Sequence, residues 1–227
     1  MKLVKVTGVA KRWYDDACGT ALALELVGER WALLVVRELM FGPRRFGELR
    51  ANLPGISANV LTQRLEGLEA AGIVVRRKLP PPASVQAYDL TPWGRESEPI
   101  FQEMGRWATR SPRHDPTLPF SPASAMMSLR TRIARDRGDL AGRIAFRFAD
   151  DAFVATLDTE GLHIVRCETD AADLILACDP PTLARLIYGK WPFAEAEAAG
   201  QLRLEGNRAL AERFVTLFSL PAKVAVE

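Results

Sequence analysis

Residues 45–91 read as helix, tight turn, helix, strand and second strand, and that order leaves few folds open. Arg45–Leu53 sets Phe46, Leu49 and Leu53 on one helical face. Pro54-Gly55 turns the chain. Ser57 then suits an N-cap, and Leu61, Leu65 and Leu68 form an apolar stripe that runs to Gly72, a helix-ending residue. Ile73–Leu79 and Val85–Leu90 are β-prone and joined through Pro80-Pro81-Pro82. The second helix of such a pair has the form that enters a DNA major groove, and the basic hairpin behind it can reach flanking phosphates.

Before this unit, Cys18–Val27 is a short apolar segment closed by Gly28, and Glu29–Met40 repeats apolar residues at helical spacing until Gly42-Pro43. After it, Thr91 with Pro92 predicts one helix running to about Thr109. Ser111–Pro122 holds four prolines in twelve residues, which disfavours helix and sheet alike. It is read as a linker. Beyond it, Arg143–Phe148, Phe153–Asp158, Leu162–Cys167 and Leu174–Cys178 alternate like strands, with hairpin turns at Asp150-Asp151 and Glu160-Gly161. Pro180–Tyr188 and Arg208–Leu217 look helical and Gln201–Glu205 strand-like. The expected class is α+β, with a meandering sheet covered by helices. The expected division is a first domain at 1–112, a linker at 113–122 and a second domain at 123–227.

The net charge of +2 hides an asymmetry. Residues 1–114 carry 17 Lys and Arg against 12 Asp and Glu, and residues 115–227 carry 13 against 16. The first half therefore suits an anionic partner better. No apolar run reaches the roughly 18–20 residues of a membrane span, and MKLVKVTGVAKRW lacks the apolar core of a secretory leader. Three cysteines at 18, 167 and 178 lack metal-like spacing, so a reduced cytoplasmic setting is expected.

The helix that starts after Ser57 sets Asn59, Thr62, Gln63 and Glu66 opposite its leucines. Asn and Gln pair with adenine edges, and Thr meets the thymine methyl. Arg64, to one side, suits a phosphate or a guanine. Arg44 and Arg45, before the preceding helix, suit a phosphate clamp. Arg76, Arg77 and Lys78 form the basic root of the hairpin. Polar residues opposite leucines also describe an ordinary solvated helix, so these residues alone leave both readings open.

Their combination is more specific. Cys18, Glu29-Arg30-Trp31, Arg37-Glu38-Leu39, Gly42-Pro43-Arg44-Arg45-Phe46, Glu48-Leu49, Pro54-Gly55-Ile56-Ser57, Leu61-Thr62-Gln63-Arg64-Leu65, Leu68, Gly72, Arg77, Tyr88-Asp89-Leu90-Thr91 and Gly94 resemble the HxlR-type winged helix-turn-helix regulators, relatives of the MarR type. The resemblance covers about residues 13–110. It implies a transcriptional regulator that binds a pseudo-palindromic double-stranded operator as a homodimer built from the terminal helices of this domain. The family's wing commonly carries Pro-Pro-Arg before the second strand. Here Pro81-Pro82 is followed by Ala83-Ser84, leaving Ser84 or Gln86 for weaker contacts. Some members sense oxidants through a cysteine near the position of Cys18. Asp15 and Asp16 should raise this thiol's pKa, and a buried small hydrophobe is the favoured reading.

The order and hydrophobic pattern of Ala172–Asp179, Leu183–Gly189, Glu195–Gly200 and Leu202–Asn207 resemble the sterol carrier protein 2-like fold over about residues 120–222. That resemblance implies an apolar cavity for a lipid-like small molecule. Phe148, Phe153, Leu186, Trp191, Phe193, Phe214 and Phe218 are its candidate lining, or simply core. Catalysis is not expected. His114 and His163 have no metal-spaced partners, and no nucleophile or phosphate-binding motif is present. No cofactor, metal or membrane partner is expected. The overall expectation is a cytoplasmic, homodimeric DNA-binding regulator modulated by an apolar ligand. The alternatives are a lipid carrier whose winged half serves dimerisation or protein contacts and, as a third reading, an enzyme using the second-domain cavity.

Overall fold

A computed structural model describes residues 14–80, 85–169 and 171–225. The N-terminal MKLVKVTGVAKRW segment and Ser84 lie outside these residues. The first unit is built from α1 (Gly19–Val27), α2 (Ala32–Leu39), α3 (Phe46–Asn52), α4 (Ala58–Ala70), β1 (Val74–Lys78) and β2 (Gln86–Leu90). Local chemistry explains its boundaries. The Glu48 carboxylate accepts from the Arg45 N–H at 2.8 Å and opens α3. The Ser57 hydroxyl accepts from the Val60 N–H and opens α4. Gly72 closes α4 at φ 73°, where other residues are strained. Its N–H reaches Glu69 O while the Ile73 N–H reaches Leu68 O, so two end carbonyls are satisfied. Val35, Leu39, Leu49, Leu61 and Leu65 are essentially inaccessible and fuse the helices into one core.

β1 and β2 pair antiparallel with Arg76 opposite Tyr88. Arg44 adds a stub of third strand, exchanging two 2.8 Å backbone bonds with Tyr88. The helix expected from Thr91 to Thr109 is instead two, α5 (Pro92–Arg95) and α6 (Glu98–Ala108). Pro99 explains the break: it has no N–H to donate, and its ring clashes with the carbonyl four residues back.

The proline-rich segment has no regular element until Ser121, whose hydroxyl caps α7 (Pro122–Arg132). This helix was not foreseen. It is wedged between α2 and α6 on one side and later elements on the other. Its buried residues, Ala123, Ala125, Met126, Met127, Leu129 and Thr131, surround it rather than form a stripe. The second unit adds β3 (Gly142–Arg147), β4 (Ala152–Leu157), β5 (Leu162–Arg166), β6 (Leu174–Ala177), α8 (Pro180–Ile187), α9 (Phe193–Ala198), β7 (Arg203–Gly206) and α10 (Arg208–Thr216). The sheet order is β5-β4-β3-β6-β7. Only β3 to β5 meander, because β6 returns parallel to β3 on its far side. The α+β class is as expected.

The two units share a seam of buried charge. Asp151, 6% exposed at its side chain, pairs with Arg44 and, at 2.9 Å, with Arg166. Arg166 also donates to Phe41 O at 3.1 Å. Phe41 meets Phe153 edge-on at 5.4 Å. Glu38, fully buried in α2, accepts from Arg37 at 2.8 Å and from the Ser121 hydroxyl at 2.7 Å. Asp151 does sit in the expected turn, with the Phe148 N–H on its carbonyl. The turn reading missed its charge role.

Candidate nucleic-acid interface

α4 buries Leu61, Leu65 and Leu68 and exposes Asn59, Thr62, Gln63 and Glu66. No side-chain hydrogen bond engages Asn59, Thr62 or Gln63 among the described residues, so their donors and acceptors face water. The exposed Ser57 hydroxyl uses a lone pair as the cap and keeps its proton for an outside acceptor.

The cations divide into free and committed groups. Arg45 is exposed, its Nε 4.0 Å from Glu48, too loose to hold it. Lys78 is exposed with no ion pair among the described residues. So is Arg50 on α3, which sequence reasoning passed over. Its signal was a basic residue in the last turn beside Leu49, on the polar side of the stripe. Arg76 pairs with Glu69 at 2.9 Å and lies over the Tyr88 ring at 5.6 Å. Arg77 joins Arg95 on the Asp89 carboxylate, at 3.1 and 2.5 Å. Asp89 is buried, so these arginines brace the hairpin root while their outer faces stay exposed.

Two arginines depart from expectation. Arg44 is 7% exposed and paired with Asp151, so it cannot clamp a phosphate in this arrangement. Burial and the neighbouring Arg166 lower its pKa, and burial brings Arg166 to about 10, still charged at neutral pH. Arg64 is largely covered and pairs with Glu29 at 3.2 Å, tying α4 to the chain ahead of α2. Neither partner could be read from local spacing.

Cys18 also departs from expectation. It is exposed at the start of α1, and the amides of Thr20 and Ala21 lower its pKa. The expected burial and upward shift are both corrected. Burial instead pushes Cys178 to about 12.

The seven aromatic and aliphatic candidates of the second unit are mostly packed solid. Phe214 contacts Phe218 at 4.9 Å and Phe146 at 6.2 Å between ring centres. Phe153 contacts Phe148 and Phe41. Leu186 and Phe193 are buried. Trp191 lies at the surface side, under the Arg185 guanidinium at 3.6 Å, with its Nε1 donating to Glu195 at 3.2 Å. Phe153, Leu186, Phe193, Phe214 and Phe218 are thus core residues, with Phe148 and Trp191 packed at its edge.

Comparison with known proteins decides the family. The model of the HxlR-like helix-turn-helix family matches residues 26–115. The uncharacterized HTH-type transcriptional regulator YvaP of Bacillus subtilis (strain 168) is 39% identical over 87 residues, 38% of this chain and 81% of that protein. The chain belongs to the HxlR-like helix-turn-helix family. The HTH-type transcriptional regulator YodB of the same organism is 42% identical over 86 residues, covering 38% of this chain and 77% of its own. The solved reduced form of YodB shares 38% identity over 43% of this chain and 98% of that chain, with a TM-score of 0.39. Residues 129–219 of this HxlR-like protein match the SCP-2 sterol transfer family. It is therefore a transcriptional regulator of the HxlR and MarR type fused to an SCP-2 domain. Neither is an enzymatic domain, so the non-enzyme expectation rests on family. Among the described residues no helix is long and apolar enough to cross a membrane.

Proposed function

We propose that this HxlR-like regulator binds a pseudo-palindromic operator as a homodimer in the cytoplasm, reading bases with α4 and answering to a small apolar ligand through residues 123–227. The observation that carries the reading is the α4 face: Asn59, Thr62 and Gln63 exposed in the first two turns without internal partners. Arg45, Arg50 and Lys78 flank it as exposed cations, Arg45 only loosely paired with Glu48 at 4.0 Å. Phosphates would meet these, while Arg76 and Arg77 reach DNA only from their braced positions. Residues 1–112 supply reading and pairing, and 113–122 link them to the ligand domain.

Dimerisation is supported by α6. It packs on α7 yet exposes Ile100, Met104 and Trp107 at 47, 46 and 77%. These lie at i, i+4 and i+7, a single apolar stripe. Leu22 and Leu24 of α1 are also exposed. Trp107→Glu is expected to convert the dimer to monomer at micromolar concentration and to weaken operator binding. Sedimentation equilibrium checks it; an unchanged dimer removes α6 from the interface.

DNA binding is tested by a salt titration. Log affinity should fall linearly with log salt, with a slope of about −0.9 per neutralised phosphate. Gln63→Ala should cost roughly 1–3 kcal/mol and relax preference at one base position. Arg45→Ala should weaken all sequences alike and flatten the slope by about one contact. Equal effects of both variants on every sequence would contradict the assigned roles. A salt-independent affinity would favour the carrier alternative.

A further inference from the structure

A cavity of about 300 Å³ lies where the proline-rich segment, α7, α8 and the chain after α10 meet. Leu118, Phe120, Ala184 and Leu220 supply apolar wall, and Ser128 and Tyr188 supply hydroxyls. Pro116 and Pro119 on the outer wall fix their own φ and restrict its backbone. An adjoining cavity of about 330 Å³ beneath α6 shares Thr109, Ser124 and Ser128 with it. This seam lies outside the aromatic core of the SCP-2 domain.

Its polar groups are incompletely used. Ser128 Oγ and Tyr188 Oη stand 2.6 Å apart and share one hydrogen bond. Two hydroxyls carry two protons, so one O–H remains to donate to a third group. Burial raises the Tyr188 pKa, which keeps that phenol protonated. Lys223 Nζ donates to Thr109 O and His114 O, at 3.2 and 3.0 Å, and lies 3.2 Å from His114 Nδ1. Arg132 donates to Gly105 O at 3.2 Å and to the Thr109 hydroxyl. Neither cation meets a carboxylate among the described residues. Burial, Lys223 and Arg132 hold His114 below its usual pKa, so it is neutral at pH 7. Asp115 is the one carboxylate on the wall, and it accepts from the Thr117 N–H and hydroxyl. Arg132 lines the adjoining cavity and acts on Tyr188, while Lys223 stands behind His114.

We propose that this seam binds a compact amphipathic carboxylate, its chain among Leu118, Phe120, Ala184 and Leu220 and its head taking the spare Ser128–Tyr188 proton on the side of Arg132. The volume stands at the lower end for small-molecule sites. It suits a medium-length chain. The proposal deepens the ligand-response part of the functional reading, and its test is read without DNA. Failure to bind would therefore be distinct from failure to regulate.

The probe is octanoate, titrated calorimetrically into the full-length protein, with octan-1-ol as the uncharged comparison. Octanoate is expected to bind with a Kd at or below about 1 mM. Octan-1-ol should bind roughly tenfold more weakly, and Tyr188→Phe should weaken octanoate by about the same factor, since a charge-assisted hydrogen bond is lost. Ala184→Phe, which fills the apolar end, should abolish binding. Tyr188→Phe removes only a hydroxyl, so the test does not depend on how Ala184→Phe folds. Absence of octanoate binding, equal binding of octan-1-ol, or an unchanged Kd in Tyr188→Phe would each overturn the proposal.

Discussion

Asp151→Asn should destabilise the protein by about 3–5 kcal/mol, read as a fall in the urea midpoint by circular dichroism. The side chain is 6% exposed and, among the described residues, carries the one carboxylate within ion-pair distance of both Arg44 and Arg166, Glu48 reaching Arg44 alone at 3.8 Å. Asn keeps the shape and removes the charge. Two guanidiniums then face each other away from water, and they already repel, because Arg166 lowers the Arg44 pKa. Arg44 Nε and Arg166 Nη2 are buried without hydrogen-bond partners even in the intact cluster, so there is little spare solvation to absorb the loss. Glu38 Oε2 shares that state. The same change should loosen the winged unit, since the backbone of Arg44 is bonded to Tyr88 in β2. A further variant isolates the cluster: Arg44→Met with Asp151→Leu and Arg166→Met removes all three charges and should recover most of the loss. A loss below about 1 kcal/mol for Asp151→Asn would show that the seam is solvated and the cluster ornamental.

Gly94→Ala should be of similar size, about 3 kcal/mol, although it adds a single methyl. Gly94 is buried in α5, and a Cβ there would stand 2.3 Å from the Ile73 carbonyl oxygen and 3.2 Å from its carbon. Backbone must therefore move. That carbonyl accepts from the Thr91 N–H at 3.0 Å, and the Thr91 hydroxyl donates to Gly72 O at 2.8 Å while accepting from the Gly94 N–H. Three bonds that close the base of the hairpin on the end of α4 would be disturbed together. Operator affinity should fall with stability, because the hairpin and α4 lose their fixed relation. A denaturation midpoint within error of the parent would contradict this account. Gly67→Ala in α4 is the control: a Cβ there meets nothing within 4 Å, and its expected effect is neutral to mildly stabilising.

These two sites mark where local sequence stops being informative. Ser57, Gly72 and Thr91 act through neighbours three to five residues away, so their roles were legible as caps. The α4 stripe was legible because its leucines face a single core. α7 was not, because it is buried on several sides and its small and sulfur-bearing residues leave no stripe. Pro99 could have signalled the break between α5 and α6, and the strength of the Thr91-Pro92 start masked it. Arg44 looked like a free cation because its partner lies 107 residues along the chain. At Cys18 the helix amides that face the sulfur outweigh Asp15 and Asp16, and that geometry is not legible in local sequence. The phenylalanines of the second unit have spacing that suits a cavity lining as well as a core, and only packing separates the two.

α4 is proposed to read sequence. The most direct measurement is to incubate the full-length protein with sheared genomic DNA at physiological salt, sequence the retained fragments, and repeat with Asn59→Ala/Gln63→Ala. The account predicts that the parent enriches one pseudo-palindromic sequence with half-sites about 34–36 Å apart, one helical turn. It predicts that the variant retains DNA without that sequence, since the phosphate-facing cations are intact. Enrichment of the same sequence by both proteins, or of none by the parent, would contradict it.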